Sequence, residues 1–180
     1  MNRRAAPGGR GCCGGMLPSK PTGQGSEPRV ALFLSTYVNK VDRKGRVSVP
    51  AAFRAELATL SFAGVVLFPA LKTGALEGSG IDRLEELSAR IDALPEFSDE
   101  RDALSSIFAD AAPLPFDSEG RIMLSPELCE HAGIVFEGGA AFVGSGRTFQ
   151  IWDPARFELH QKERRARARG LTLAAQPGAK

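Results

Sequence analysis

The strongest constraint on this chain is an eight-residue pattern that occurs twice. Asp42-Arg43-Lys44-Gly45-Arg46-Val47-Ser48-Val49 is echoed 75 residues later by Asp117-Ser118-Glu119-Gly120-Arg121-Ile122-Met123-Leu124. Each copy reads Asp-x-x-Gly-Arg, followed by two apolar residues one position apart. What comes next repeats as well. Short helices are expected at Ala51–Leu60 and Pro126–Ala132, then apolar strands at Gly64–Phe68 and Ala140–Val143. A closing helix follows each strand, at Ile81–Leu94 and at Pro154–Arg167, the second after Asp153 as a cap. In the first of these, Ile81, Leu84, Leu87, Ile91 and Leu94 form one apolar stripe. Two copies of one supersecondary unit in 180 residues imply a duplicated fold.

The shared pentapeptide is a tight turn between strands. Aspartate bonds the backbone two residues on, and glycine adopts the positive φ that strains other residues. Asp42, Gly45, Asp117 and Gly120 are therefore the turn-forming residues. A turn does not require arginine at the same offset twice. Arg46 and Arg121 either pair with Asp42 and Asp117, or offer their planar forks to an anion such as phosphate or to guanine. The middle residues differ in sign: Arg43-Lys44 in the first copy become Ser118-Glu119 in the second.

The remaining segments are simpler. Ala31–Val38 is rich in strand formers and leads into the first turn, after which Val47–Val49 resumes the strand. Ser98–Asp110 reads as a third helix, with Ser98 as its cap and Leu104, Ile107 and Phe108 as its apolar face. Residues 1–29 are Gly, Pro, Ser and Arg with few apolar residues, and are expected to be disordered. They hold no apolar stretch of a secretory signal. Met16 is an alternative start, which would leave residues 1–15 untranslated. The net charge of +2 conceals a basic stretch at each end, +4 over 1–29 and +4 over 158–180, around a middle of −6. Basic ends suit a polyanion and also suit plain solubility. The last helix runs out in Lys162-Glu-Arg-Arg-Ala-Arg-Ala-Arg169, which reads as a solvated basic helix end or as an auxiliary phosphate contact.

Several classes are disfavoured. Cys12, Cys13 and Cys129 make a poor disulfide framework, and neither His131 nor His160 joins a cysteine in metal-ligand spacing. No metal or other cofactor is expected. No phosphate-binding loop, dinucleotide fingerprint or triad motif is present, so no enzymatic activity and no small-molecule substrate are expected. No apolar run reaches the length of a membrane span.

The residues from Phe33 to Pro50, FLSTYVNKVDRKGRVSVP, resemble the first signature of the MraZ family, in the AbrB/MazE/SpoVT group of bacterial transcription regulators. Asp117–Leu128 resembles the second signature, and Phe149-Gln-Ile-Trp152 with Asp153-Pro154 the family's late strand and helix start. The resemblance covers about 30–168. It implies a mainly β fold with capping helices, a double-split β-barrel built from two internal AbrB-like repeats. The repeats would span 30–95 and 113–168, with a linker helix over 96–112 and a frayed tail over 169–180. It further implies a DNA-binding repressor that assembles into a homo-oligomeric ring. That ring would act on G-rich direct repeats of double-stranded DNA at promoters of the division and cell-wall gene cluster, its own gene included. The location implied is cytoplasmic and nucleoid-associated. The family's DNA-facing stretch maps onto Asn39, Arg43, Lys44 and Arg46, with Arg121 as the second-copy counterpart. Two departures stand out. Ser125 replaces a frequent proline, and Lys72–Gly80 is more glycine-rich than expected, which would loosen its strand. An antitoxin of the MazE type and a purely protein-binding ring are competing readings. The two full repeats and the helical linker argue against the first.

Overall fold

A computed structural model describes residues 32–170. The expectations for residues 1–29, for Cys12 and Cys13, and for 171–180 of the tail lie outside the described residues. Within them the chain forms eight strands and five helices. The first stretch runs β1 (Thr36–Lys40), β2 (Arg46–Ser48), α1 (Ala51–Leu57), β3 (Gly64–Pro69), β4 (Leu76–Ser79) and α2 (Ile81–Asp92). Then comes α3 (Asp99–Asp110). The second stretch repeats the order: β5 (Ala112–Pro115), β6 (Arg121–Met123), α4 (Pro126–Ala132), β7 (Gly139–Gly144), β8 (Phe149–Trp152) and α5 (Pro154–Gly170). Helices contain more residues than strands, so the class is mixed α+β rather than mainly β.

The strand pairing shows how the two stretches interlock. One sheet has the order β1-β7-β8-β4-β3-β5, and β2 and β6 form a separate two-stranded ribbon. Every paired neighbour is antiparallel. The order is palindromic: β1 pairs with β7 of the other stretch, β5 with β3 of the first, and β4 meets β8 at the centre. Each stretch therefore lends its first strand to the other, and neither completes a sheet alone. Alternation along the strands puts Val47 and Ile122 of the ribbon inside, both essentially fully buried.

The main core is aromatic at its centre. Phe33, Phe53 and Phe149 meet at centroid distances of 5.0–5.3 Å, two of the contacts edge-to-face. Val41, Val49, Leu57, Leu67, Leu76, Leu124 and Ile151 surround them. Two smaller clusters lie under the helices. Val66, Phe68, Leu84 and Ile107 sit beneath α2 and α3, and Ala141 and Trp152 pack with Phe157 of α5.

Local chemistry explains the helix ends. Ser98 Oγ accepts the Arg101 amide at 3.2 Å and caps α3. Ser125 does the same for α4, accepting from Leu128 N at 3.3 Å with Pro126 in the first turn, so this departure supplies a cap. Gly133, at φ 68, ends α4 in the left-handed conformation. Asp153 Oδ1 accepts the Arg156 amide at 2.9 Å at the start of α5. The glycine-rich segment before α2 is not loose. β4 is paired on both sides, and Gly78 is required because a Cβ there would lie 2.5 Å from the Phe149 ring.

Candidate nucleic-acid interface

Both Asp-x-x-Gly-Arg turns fold in the same way. In the first, Asp42 Oδ1 accepts the amides of Lys44 (2.8 Å) and Arg46 (2.9 Å), and Oδ2 accepts Arg46 Nε at 2.6 Å. In the second, Asp117 Oδ1 accepts the amides of Glu119 and Arg121, both at 2.9 Å, and Oδ2 accepts Arg121 Nε at 2.8 Å. Gly45 and Gly120 sit at φ 80 and 70, where a side chain is strained. The amide of Arg46, then its side chain and the Lys44 amide, hold the Asp42 carboxyl below its ordinary range; Arg121 does the same for Asp117. Of the two roles open to these arginines, pairing within the turn is the one the geometry displays.

The turns also clamp the ribbon. Leu124 N donates to the Gly45 carbonyl at 2.8 Å, and Val49 N donates to the Gly120 carbonyl at 3.2 Å. Each turn thus fastens the end of the other stretch's strand. The register pairs Arg46 with Met123 and Ser48 with Arg121. These four side chains share the ribbon's outer face, opposite Val47 and Ile122. Arg46 and Arg121 are therefore brought onto one surface by a pairing between residues 75 positions apart.

The other expected site residues have distinct surroundings. Asn39 Nδ2 donates to the Ser48 carbonyl at 2.6 Å and ties β1 to β2. Arg43, 83% exposed, pairs with Glu137 at 2.9 Å. The Lys44 side chain is exposed and makes no ion pair among the described residues. Arg46 uses Nε on Asp42, and its terminal amino groups make no hydrogen bond among the described residues. Arg121 is more heavily engaged, since Glu119 also reaches its Nη1 at 2.6 Å. The first turn holds three cations against one carboxylate, a formal +2. The second holds one cation against two carboxylates, a formal −1.

Two residues went unseen in the sequence. Arg54 of α1 donates through Nε to the Val49 carbonyl at 3.1 Å, and its guanidinium packs over Gly120. Glu137 holds Arg43 from a left-handed backbone position at φ 64. The signal for Arg54 was a basic residue one helical turn after the first signature. For Glu137, 94 residues distant from its partner, no local signal exists. Among the described residues no group of His, Cys, Asp and Glu is arranged to hold a metal. Cys129 is buried, and burial pushes its thiol pKa up, away from thiolate reactivity.

An interlocked duplicated fold presenting a ribbon between two braced turns, one of them cationic, defines the class of architecture. Comparison with known proteins makes that class specific. A family model described as MraZ protein, antitoxin-like, matches residues 107–171. The chain is 49% identical over 138 residues to the Transcriptional regulator MraZ of Pelagibacter ubique (strain HTCC1062), covering 76% of this chain and 88% of that one. It is 47% identical over 145 residues to the Transcriptional regulator MraZ of Rickettsia canadensis (strain McKiel), covering 79% and 96%. The same-named protein of Rickettsia akari (strain Hartford) is 47% identical over 132 residues. The class is thus that of transcriptional regulators. The chain belongs to the MraZ family.

Proposed function

We propose that this protein is a sequence-specific repressor that binds double-stranded DNA through the outer face of the β2–β6 ribbon and its first turn. In this reading it acts as a ring on G-rich direct repeats upstream of the division and cell-wall gene cluster, its own gene included. That would place it on the nucleoid. The ribbon, closed against the six-stranded sheet, forms the double-split barrel of AbrB-like proteins. The observation that carries the reading is the exposed, formally +2 turn set directly on the ribbon.

A two-stranded ribbon fits the major groove of B-DNA. Arg46 is preorganised, because its Nε bond to Asp42 fixes the plane of the guanidinium and leaves two terminal amino groups for guanine O6 and N7. Lys44 and Arg43 contact phosphate. Asn39 acts by fixing β2 against β1. Arg121 adds a second guanidinium on the same face, weakened by the carboxylates of Asp117 and Glu119. One subunit supplies a small number of contacts, and a ring multiplies them along tandem repeats. The role is binding rather than catalysis.

Fluorescence anisotropy at fixed physiological salt tests this. The probe is DNA from upstream of the protein's own gene, against a scrambled duplex of equal composition. Native DNA binds tightly and the scrambled duplex does not. Arg46→Ala costs about 1–3 kcal/mol on the native sequence and narrows the gap between the two. Equal binding of both duplexes by the wild type, or unchanged operator binding by Arg46→Ala, would overturn the assignment.

A further inference from the structure

The palindromic sheet makes its two outer flanks comparable, and they are not finished alike. On β3, Val66 and Phe68 are buried beneath α2 and α3. The residues 75 positions on, in β7, are Ala141 and Val143. α5 covers Ala141 with Phe157, as α2 covers its own flank. Among the described residues nothing occupies the place equivalent to α3. A groove of about 430 Å³ opens there, lined by Thr36, Val143, Phe157, Gln161, Arg164 and Arg165. Val38, on the same face of β1 as Thr36, is 60% exposed, and Leu34, just before β1, is 64% exposed.

The element that fills the equivalent space within the chain is an acidic helix. α3 turns Leu104 and Ile107 inward. Its outward stripe is Asp99, Asp102, Ser106 and Asp110, all exposed and in no ion pair among the described residues. The groove, unoccupied among the described residues, has the opposite sign. Every described side chain from Lys162 to Ala168 is exposed, and Lys162, Arg164, Arg165 and Arg167 stand among them against the single Glu163. A helix so polar on all sides has no stabilising face of its own beyond Gln161.

We propose that the groove between β1 and α5 receives the outward face of α3 from a second copy of this chain. The inference rests on the assembling part of the function proposed above. The contact joins two different surfaces, so each copy keeps one groove and one acidic helix free for the next. Such head-to-tail contacts close into rings when the rotation between copies permits. The acidic middle of the chain then serves as the counterpart of its basic helix. Rising salt weakens the contact, since the paired charges lie at its rim.

The test is sedimentation velocity of the full chain at physiological salt, with circular dichroism as a check on folding. Arg164→Glu with Arg165→Glu weakens self-association by about tenfold or more, and so does Asp102→Lys with Asp110→Lys. Combining all four restores assembly, because the charges are exchanged and the geometry is kept. If the wild type assembles and either pair leaves its mass unchanged, or the fourfold variant stays dissociated, the docking is wrong while the ring reading stands. If the wild type is monomeric at every concentration, the ring reading fails and this one with it. If the Arg164/Arg165 variant keeps its mass but loses salt-dependent DNA affinity, the basic helix serves phosphate instead, and the proposal is overturned.

Discussion

The two turns share a backbone and differ in charge. Equivalent hydrogen bonds accepted by Asp42 and Asp117 agree to within a few tenths of an ångström, and each turn clamps the other's strand through its glycine carbonyl. What this architecture needs is the aspartate, the glycine and the arginine Nε. It does not need Arg43 and Lys44, because Ser118 and Glu119 occupy the same positions in the same turn. Charge at those two positions is thus independent of the fold, and there one copy departs from the other in the direction a polyanion favours.

The largest effect that would break the comparison lies in the glycines. A Cβ on Gly45 would stand 2.6 Å from the Leu124 carbonyl oxygen, a backbone atom of the clamp. A Cβ on Gly120 would meet the Arg54 side chain, whose far end can move aside. Both substitutions incur about 1–2 kcal/mol for a left-handed non-glycine residue. Gly45→Ala adds displacement of the ribbon, and a total of about 2–4 kcal/mol is expected. Gly120→Ala stays near the lower figure, about 1–2 kcal/mol. Urea unfolding of the two variants compares them directly. Equal losses would mean that Arg54 is held as rigidly as the backbone.

That contrast also separates what was legible in the sequence from what was not. The turns, the helices after them and the caps at Ser98 and Asp153 depend on residues within a few positions of one another, and local chemistry announces them. The exchange of β1 and β5 between the stretches depends on pairings across about a hundred residues for β1–β7 and about fifty for β3–β5, which periodicity does not encode. A similar distance hid Arg43–Glu137, while the bond from Asn39 to the Ser48 carbonyl spans nine residues and ties two strands whose pairing the local pattern does not announce. Lys72–Gly80 looked weak because glycine lowers strand propensity. The reason for Gly78, the ring of Phe149, lies 71 residues away. Arg46 and Arg121 are legible as a pair, and the structure adds that the Nε of each bonds the aspartate of its own turn.

A smaller change sharpens the comparison by making the first turn read like the second. Arg43→Ser with Lys44→Glu removes two cations from positions the fold leaves free. Only the exposed Arg43–Glu137 pair is lost, so stability changes by less than about 0.5 kcal/mol. DNA affinity falls on every sequence, and the dependence of log K on log salt flattens by about 2. The reciprocal variant, Ser118→Arg with Glu119→Lys, raises affinity for the scrambled duplex by a similar route. Unchanged binding in the first variant would show that the charge difference between the turns has no bearing on DNA.

The smallest effect concerns acid. In the folded chain both turn aspartates ionise below their ordinary value of 3.8. The unfolded chain therefore binds more protons in the window between the lowered and the ordinary values, and stability rises with pH there. The contribution is complete above the unfolded value and is lost as pH falls through the folded one. Asp42→Asn and Asp117→Asn each keep an oxygen that can accept the two turn amides, but give up the carboxylate that faces the arginine. Each variant should flatten the acid limb of a pH series of urea unfolding and leave the turn intact. The two losses should not simply add. Asp42 is among the charges that raise the pKa of Arg121, alongside Asp117 and Glu119, so the turns sense each other across the ribbon. In the double variant Arg121 keeps Glu119 alone, whereas Arg46 keeps no partner among the described residues. A double variant whose acid limb equals the sum of the singles would mean that the turns are electrostatically independent despite sharing one face.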